Sequence, residues 1–242
     1  LKMPAKLGGI SISLPFSVNL NNLEIGALFK VDRLSVSPNI FGFFAGKIVL
    51  SNVRLINPVI NLEQASDGSL NLPKLELRER KPPVYLTSLS VTNGRFNFSD
   101  KKIDPSGYKI VLSRINARIS KVMLPLTSLK TNFKVSSDLL SSDDKKLGSI
   151  KFSGWLDFGP RDMDAVLTIK DLDLIYFSPY YGNFISHKKL LSAKLNINTT
   201  LTQPFTGVVW NQYANIQRDN AGNFVAVIPA TSFQQAIGAA GT

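Results

Sequence analysis

The stretch KIVLSNVRLINPVINL at residues 47–62 is the key to the fold, because the chain repeats it as PVYLTSLSVTNGRFNF at residues 83–98. A shift of 36 positions, the interval between residues 47 and 83, places apolar residues on apolar residues and Asn57 on Asn93. Self-similarity at this spacing predicts β units that stack along an axis. The alternative is that two similar segments arose by chance.

Each copy has a turn signal at its centre, Asn57-Pro58 in the first and Asn93-Gly94 in the second. Asn-Gly between alternating apolar residues is a strong hairpin signal, since both turn residues accept a positive φ. We therefore predict that each copy forms a strand, a tight turn and a returning strand.

A shorter apolar-x-x-apolar-x-apolar spacing recurs along the chain. It occurs at Val31-x-x-Leu34-x-Val36, Leu112-x-x-Ile115-x-Ala117, Leu126-x-x-Leu129-x-Thr131 and Ile169-x-x-Leu172-x-Leu174. Strict alternation, as in ISISL at residues 10–14, indicates half-buried strands. Further strands are predicted at residues 108–119, 129–136, 149–158, 165–174 and 192–201. The sequence therefore predicts an all-β chain in a mainly meandering order.

Two segments interrupt the alternation. The first, PNIFGFFA at residues 38–45, starts with a proline suited to the first turn of a helix. It predicts a short buried or lipid-facing helical turn, or else a core plug at the end of a sheet. Its large apolar residues are Ile40, Phe41, Phe43 and Phe44. The second, SPYYGN at residues 178–183, predicts a turn followed by a short helix.

Composition limits the class of protein. The chain has 242 residues, no cysteine and a formal net charge of +11. Without cysteine there is no disulfide framework and no thiolate metal site, which is compatible with a bacterial envelope or a cytosolic protein. A basic chain favours an anionic partner, either nucleic acid or an anionic lipid surface. No run approaches the roughly 20 apolar residues that a membrane-spanning helix needs.

Residues that carry catalysis or bind metals are scarce. His187 is the single histidine, so a histidine-rich zinc site is not available. Asp162 with Asp164, and Asp171 with Asp173, would share a strand face and are candidate cation ligands, but the second pair alternates with leucines like a solvent-facing edge. We therefore expect no enzyme activity, no catalytic residue, no metal and no cofactor.

The distribution of the basic residues does not indicate a nucleic-acid partner. Basic residues are spread over predicted strands and loops, and no recognition helix, zinc finger or RNA-binding aromatic motif is present. We expect no nucleic-acid partner.

The C-terminal segment differs from the rest of the chain. Residues 202–242 contain one Arg and one Asp and are rich in Gly, Ala, Asn and Gln. We predict a β-sheet domain at residues 1–201 and a segment of separate character at residues 202–242, with a strand at 224–228 and a short helix at 231–237. A separate segment, a partner-binding tail and a stretch joined from elsewhere all fit this composition.

Several motifs resemble those of a known family. GKIVLSNVRLINPVINL at residues 46–62, followed by DGSLNL at residues 67–72, is similar to the signature of the AsmA-like proteins. LSVTNGRFNFSD at residues 89–100 resembles the following unit of that superfamily, and LDLIYFSPYY at residues 172–181 resembles a later one. The resemblance covers about residues 7–201.

This resemblance implies an elongated, strongly curved and mainly antiparallel sheet, groove-like and built from repeated strand–turn–strand units, with one or two short helices. It implies a periplasmic location, an inner-membrane helix upstream that the sequence from Leu1 lacks, and a relationship to chorein-type bridge-like lipid transfer proteins. It brings no catalytic residues.

A curved sheet with uncovered apolar side chains on its concave face presents a binding surface. Alternation nominates groove residues on both copies of the repeat, although a slip of one residue would reverse their faces. The groove candidates are Val53, Leu55, Ile60, Leu62, Leu89, Val91, Phe96 and Phe98. The candidates for a membrane contact or groove mouth are Ile40, Phe41, Phe43 and Phe44.

The sequence therefore favours a non-enzymatic envelope protein whose apolar groove binds or conducts the acyl chains of phospholipid or another lipid between the inner and outer membranes, with envelope proteins as further partners. The rival hypothesis is a scaffold that supports outer-membrane assembly through protein contacts, with its concave face filled by its own side chains. An open groove favours the first hypothesis, and a tightly packed interior favours the second.

Overall fold

The structure is a computed structural model. It describes residues 4–14, 16–44, 46–72, 84–124, 129–159, 162–181, 192–202, 215–218 and 224–228. Thirteen strands and two short helices follow one another along these ranges. They are β1 (Ala5–Ser13), β2 (Ser17–Ile25), β3 (Phe29–Pro38), α1 (Ile40–Phe44), β4 (Ile48–Ile56), β5 (Val59–Gln64), β6 (Val84–Asp100), β7 (Tyr108–Leu124), β8 (Thr131–Leu140), β9 (Lys146–Asp157), β10 (Asp162–Asp173), α2 (Ser178–Tyr181), β11 (Ala193–Thr202), β12 (Asn215–Arg218) and β13 (Phe224–Ile228).

The strands form one large curved sheet, which confirms the predicted all-β, mainly antiparallel fold. Its strand order is β1-β2-β3-β4-β6-β7-β8-β9-β10-β11-β13-β12, with β5 placed between β3 and β6. Most neighbours are antiparallel; β4 and β5 run parallel to β6, and β13 runs parallel to β11.

The two copies of the repeat lie side by side in register, as a stacked repeat predicts. Val53 pairs with Leu89 in the β4–β6 ladder, and Ile60 pairs with Phe96 in the β5–β6 ladder. Every pair in these ladders is separated by the same interval that relates the two sequences. An amide ladder marks the repeat as well, because the Asn93 Nδ2 atom donates to Asn57 Oδ1 over 2.8 Å.

The predicted hairpins are wrong. β4 and β5 do not pair with each other, and β6 runs without interruption through Asn93-Gly94. The residues after the turn signals therefore continue in the same direction rather than return. The physical reason is that both halves of each copy find a longer partner strand alongside, and pairing with a neighbour satisfies the same backbone groups that a hairpin would.

A line of left-handed residues crosses the sheet and explains the turn signals. Asn57 and Asn93 have φ angles of 51° and 54°, and Arg114 on β7 has 49°. Asn22 on β2 and Asp171 on β10 adopt the same conformation. Three of them, Asn93, Arg114 and Asp171, lie where the ladder register shifts, as at a β-bulge, which bends the strand and increases its twist. We call this line of five residues the crease.

The crease also explains the apolar-x-x-apolar spacing. Side chains on one face of a regular strand are two residues apart, and a bulge adds one more residue. Leu112 and Ile115 flank Arg114 in this way, and Ile169 and Leu172 flank Asp171, each at a break in the ladder register. The sequence spacing therefore marks where the sheet bends.

Other predictions have mixed outcomes. Pro38 ends β3 rather than opening the helix, which begins at Ile40. The strand at residues 224–228 is present, and it pairs with β11, so this part of the C-terminal segment joins the sheet. The boundary between residues 201 and 202 stays a prediction. His187, the pattern at Leu126 and the helix at residues 231–237 lie outside the described residues.

Candidate functional site

Two rows of side chains cross the sheet on one face. Residues that are direct partners in neighbouring strands point to the same side of a sheet, so the register traces each row from strand to strand. The first row runs Ile10, Leu20, Leu34, Leu55, Val91, Ala117, Val135, Phe152, Leu167 and Thr199. The second runs Ile12, Val18, Val36, Val53, Leu89, Ile119, Phe133, Gly154, Ala165 and Leu201.

We call these two rows the apolar stripe and their side of the sheet the apolar face. Thr199 is the single residue in them with a polar side chain, and its hydroxyl is buried without a hydrogen-bond partner among the described residues. The stripe is continuous from β1 to β11, which a sequence-based view of separate strands did not reveal.

The apolar face continues past the crease. Ile60 pairs with Phe96, which pairs with Leu112. Gly94 confirms that these residues share a face with the stripe, because a Cβ atom added to Gly94 would lie 3.0 Å from Val91 Cγ1 and 3.3 Å from Ile115 Cβ. The eight nominated groove residues therefore lie on one face of the sheet. Four of them are on β4 and β5, and the other four are their direct partners on β6.

Burial differs between the two faces, but not in the same sense on every strand: on β2, Val18 of the apolar face is 38% exposed and Asn19 of the opposite face is 8% exposed. On β8, Thr131 and Phe133 of the apolar face are 5% and 8% exposed, whereas the alternate residues Asn132 and Lys134 are exposed. On β8 the apolar face is therefore the more shielded of the two. No second layer of described residues is stacked on the apolar face.

Exposure changes along the stripe. Ile10 and Ile12 on β1 are 64% and 76% exposed, and Ala165 and Thr199 on β10 and β11 are each 1% exposed. The residues of the stripe on β4 and β6 have intermediate exposure. The described part of the stripe is thus open at β1 and closely packed at β11.

The opposite face is polar. Ser35 donates from its Oγ atom to Asn19 Oδ1 over 2.5 Å. Further along this face, Arg54 and Arg118 both pair with Ser90, and Arg118 also pairs with Lys134. This side of the sheet therefore carries positive charge and hydrogen-bonding groups, in contrast to the stripe.

Polar side chains follow the crease. The Asn57 Nδ2 atom donates to Asp32 Oδ2 over 2.8 Å, and the Asn93 backbone N–H donates to Asn116 Oδ1 over 3.2 Å. Two shallow cavities of about 580 and 430 Å³ lie beside it, and Arg95 borders both. Polar side chains are frequent at their borders, but Leu62 and Phe98, two of the nominated groove residues, line the second cavity together with Val111.

Asp138 is the most strongly paired carboxylate near the crease. Its side chain is 13% exposed, and it accepts from Arg114 and, over 2.8 Å, from Lys146. Burial alone would raise the pKa of this carboxyl, but the hydrogen bonds from the two cations outweigh burial and hold the pKa below its usual value.

A cluster of tyrosines at one rim of the sheet connects the segment after β10 to β6 and β7. Residues 174–181, which we call the strap, lead from β10 to a hydrogen bond of 3.0 Å between the Tyr180 hydroxyl and Asp100 on β6. Tyr108 on β7 packs against Tyr176 and Tyr180, with ring centroids 5.1 and 5.5 Å apart. The strap thus crosses β9, β8 and β7, and burial raises the pKa values of Tyr108 and Tyr180.

The other rim is apolar and exposed. Phe41 and Phe44 on α1 are 86% and 87% exposed, so the prediction of a core plug is wrong. Ile40 is half-buried, and the side chain of Phe43 lies outside the described residues. In the adjacent β1–β2 turn, Leu14 is 89% exposed and Phe16 is 56% exposed.

Neither a group of metal-binding side chains nor a membrane-spanning helix is present among the described residues. In the part of the chain that the structure describes, no three His, Cys, Asp or Glu side chains gather into a group that could hold a metal ion. None of the helices within the described ranges is long and apolar enough to cross a membrane.

No protein-family model matches the sequence, and no curated protein matches it.

Proposed function

We propose that this chain is a non-enzymatic lipid-binding module whose apolar stripe holds the acyl chains of phospholipid or a similar lipid. The observation that carries the proposal is the continuity of the stripe. Its two apolar rows follow the sheet from β1 to β11, whereas the opposite face is polar.

The dimensions of a sheet suit this role. Neighbouring strands lie about 4.8 Å apart, so an acyl chain along the stripe contacts side chains from several strands. Each methylene removed from water contributes about 0.8 kcal/mol, and no polar contact is needed to hold the tail. The head group stays in water at the rim, where basic side chains suit an anionic lipid.

The AsmA-like motifs supply the proposed setting. They favour a periplasmic location, attachment to the inner membrane through a segment upstream of Leu1, and transfer of lipid between inner and outer membranes. Envelope proteins are proposed as further partners, and nucleic acid is not.

The scaffold hypothesis has its own support at one end of the sheet. The stripe is closely packed on β10 and β11, where Ala165 and Thr199 are each 1% exposed. At Gly154 a Cβ atom would lie only 2.5 Å from the Ala165 Cα atom on the neighbouring strand, so the close approach of β9 and β10 leaves no room for a side chain at this point of the stripe. We therefore place the lipid on the β1–β8 part of the stripe and leave scaffolding as the second candidate.

The experiment compares adjacent residues on opposite faces of β6. Leu89→Asp places a carboxylate in the stripe, and Ser90→Asp places the same group on the polar face as the matched control. Lipid per folded protein is measured by mass spectrometry of extracts, together with the melting temperature. We expect Leu89→Asp, and likewise Val53→Asp, to lose most of the lipid, because a carboxylate is costly among acyl chains.

The two candidate functions give different results. An open groove tolerates the carboxylate with little loss of folding, since half-exposed positions still contact water. A filled interior unfolds on the same change, because an unpaired buried charge is among the most destabilising substitutions. Wild-type lipid content in a well-folded Leu89→Asp variant would exclude the proposed groove.

A further inference from the structure

The described part of the chain concentrates its exposed apolar side chains in one corner. Among the described large apolar residues that are more than half exposed, all but Leu72 belong to β1, to the β1–β2 turn or to α1. Single exposed apolar residues are ordinary on a protein surface, but a contiguous group marks an interaction site.

These elements meet at the same rim. The Ser17 and Ser37 hydroxyls, 2.6 Å apart, join the start of β2 to the end of β3. The turn with Leu14 and Phe16 therefore lies beside the segment that leads into α1. We call Leu14, Phe16, Phe41 and Phe44 the apolar patch.

The geometry of α1 directs its two phenylalanines outward. Gly42 lies against β4, since a Cβ atom there would be 2.9 Å from Val49 Cγ2. Phe41 and Phe44 are three positions apart, so they share another side of this helical turn. The close contact at Gly42 fixes the turn, and the two aromatic rings project from it.

Neither carboxylate of residues 1–62 lies beside the apolar patch, in a chain whose formal net charge is +11. These residues contain two carboxylates, Glu24 and Asp32, and their described basic residues other than Lys47 lie at the far ends of the strands or toward the crease. Glu24 is at the opposite end of β2 and is paired with Lys30 over 2.9 Å, while Asp32 lies at the crease. Lys47, which is exposed, lies beside α1, where its backbone N–H donates to the Gly42 carbonyl over 2.9 Å.

We propose that the apolar patch inserts into the surface of an anionic phospholipid bilayer. Protruding aromatic and aliphatic side chains next to basic residues are the composition of an interfacial membrane contact. The patch adjoins Ile12, where the stripe is most open, so docking brings the membrane to the exposed end of the groove. This inference rests on the proposed lipid-binding function and specifies where the groove meets its lipid source.

The test uses flotation of the full chain with vesicles of phosphatidylcholine alone or mixed with phosphatidylglycerol. We expect binding to the anionic vesicles, weakened by salt because exposed charges are screened. Phe41→Ser combined with Phe44→Ser removes two side chains that insert into the bilayer, and we expect it to lower vesicle affinity about tenfold or more. Leu70→Ser combined with Leu72→Ser, at the opposite rim, is the matched control and leaves the affinity within about twofold of wild type.

A second measurement separates docking from groove binding. A fluorescent fatty acid, used below the concentration at which it forms micelles, reports the groove without a membrane. The Phe41→Ser, Phe44→Ser variant keeps this binding if the inference holds, whereas Leu89→Asp loses it and still floats with vesicles.

Three results would overturn this inference and leave the proposed lipid-binding groove unaffected. The first is unchanged flotation of the doubly substituted variant, and the second is equal binding to neutral and anionic vesicles. The third is a dimer, seen by light scattering, that the substitutions at Phe41 and Phe44 dissociate while vesicles do not bind. That last result would assign the apolar patch to a second copy of the chain. Absence of fatty-acid binding by the wild-type protein would instead reject the proposed lipid-binding function.

Discussion

Asparagine and aspartate at the crease show how single side chains shape this sheet. Asn57, Asn93 and Asp171 adopt positive φ, which short polar side chains accept more readily than others do. The same side chains then pair along the crease, as in the Asn93–Asn57 contact of 2.8 Å. Short polar side chains thus permit the bend, and those of Asn57 and Asn93 also satisfy polar groups beside it.

Arg114 is an exception among these residues, because it adopts the same conformation without a short side chain. Its guanidinium pairs with Asp138, which also accepts from Lys146. The ion pairs hold β7 and β8 together where their ladder register breaks. At Arg114, the ion pair and the position in the sheet therefore stabilise a conformation that asparagine adopts more readily.

Replacing Asp138 tests these ion pairs. We expect Asp138→Asn to lower the free energy of unfolding at neutral pH by about 1–2 kcal/mol, since it removes charge-assisted hydrogen bonds. The pKa of Asp138 is held below its usual value, so its contribution is present above the ordinary aspartate pKa of about 3.9 and disappears as the pH falls through the folded-state value.

The measurement for Asp138 is denaturant unfolding of wild type and variant at several pH values. The difference between them should be constant near neutrality and shrink in acid. A difference independent of pH would show that the charge of Asp138 has no part in the effect. Asp164→Asn, at an exposed position on β10, serves as a comparison for general acid effects.

At the scale of elements, the crease turns separate strands into one curved surface. β4 and β5 are two strands in register with the single strand β6, and the bend at Asn57 lies beside the bend at Asn93. Bulges aligned on neighbouring strands bend the sheet as a unit, whereas an isolated bulge would disrupt its ladders. The strap adds a second constraint at the rim, through Tyr180 and Asp100.

Substitutions at Asn93 test the crease. Asn93→Gly accepts the same φ and should cost little beyond the lost amide contact. Asn93→Val places a β-branched residue at a positive φ and should destabilise the protein by a further 1–3 kcal/mol or so. Thermal unfolding measures both variants, and equal melting temperatures for glycine and valine would contradict a conformational role for this position.

At the scale of the whole molecule, the sheet separates apolar and polar chemistry between two faces without enclosing a large core. The fully shielded apolar residues of the described part include Val31, Phe133 and Ala165, but much of the stripe remains half-exposed. A protein built in this way has binding surface available where a globular domain would have packed interior. Lipid occupying the stripe is then expected to stabilise the fold.

Stabilisation by lipid is measurable as a shift in melting temperature. A ligand that binds only the folded state adds about 2.7 kcal/mol at a concentration a hundredfold above its Kd. We expect a long-chain fatty acid to raise the melting temperature of wild type and of Ser90→Asp, and to leave that of Leu89→Asp unchanged. An equal shift in all three would place the ligand outside the stripe.

The sequence by itself determined the local and periodic features of this protein. Alternation defined the strands, and the interval between Asn57 and Asn93 defined the neighbours β4–β5 and β6, because identical spacing lets two copies pair in register. It also nominated Phe41 and Phe44, whose apolar character on a short segment does not depend on distant contacts. These features follow from residues close together in the chain.

The tertiary structure decided what the turn signals mean. Asn93-Gly94 satisfies the local requirements of a hairpin and of a bulge alike, and only the presence of β7 alongside β6 selects the bulge. The continuity of the stripe and the position of the strap likewise depend on which strands are neighbours. Strand order arises from pairing between distant segments, and the residue spacing within one segment does not predict it.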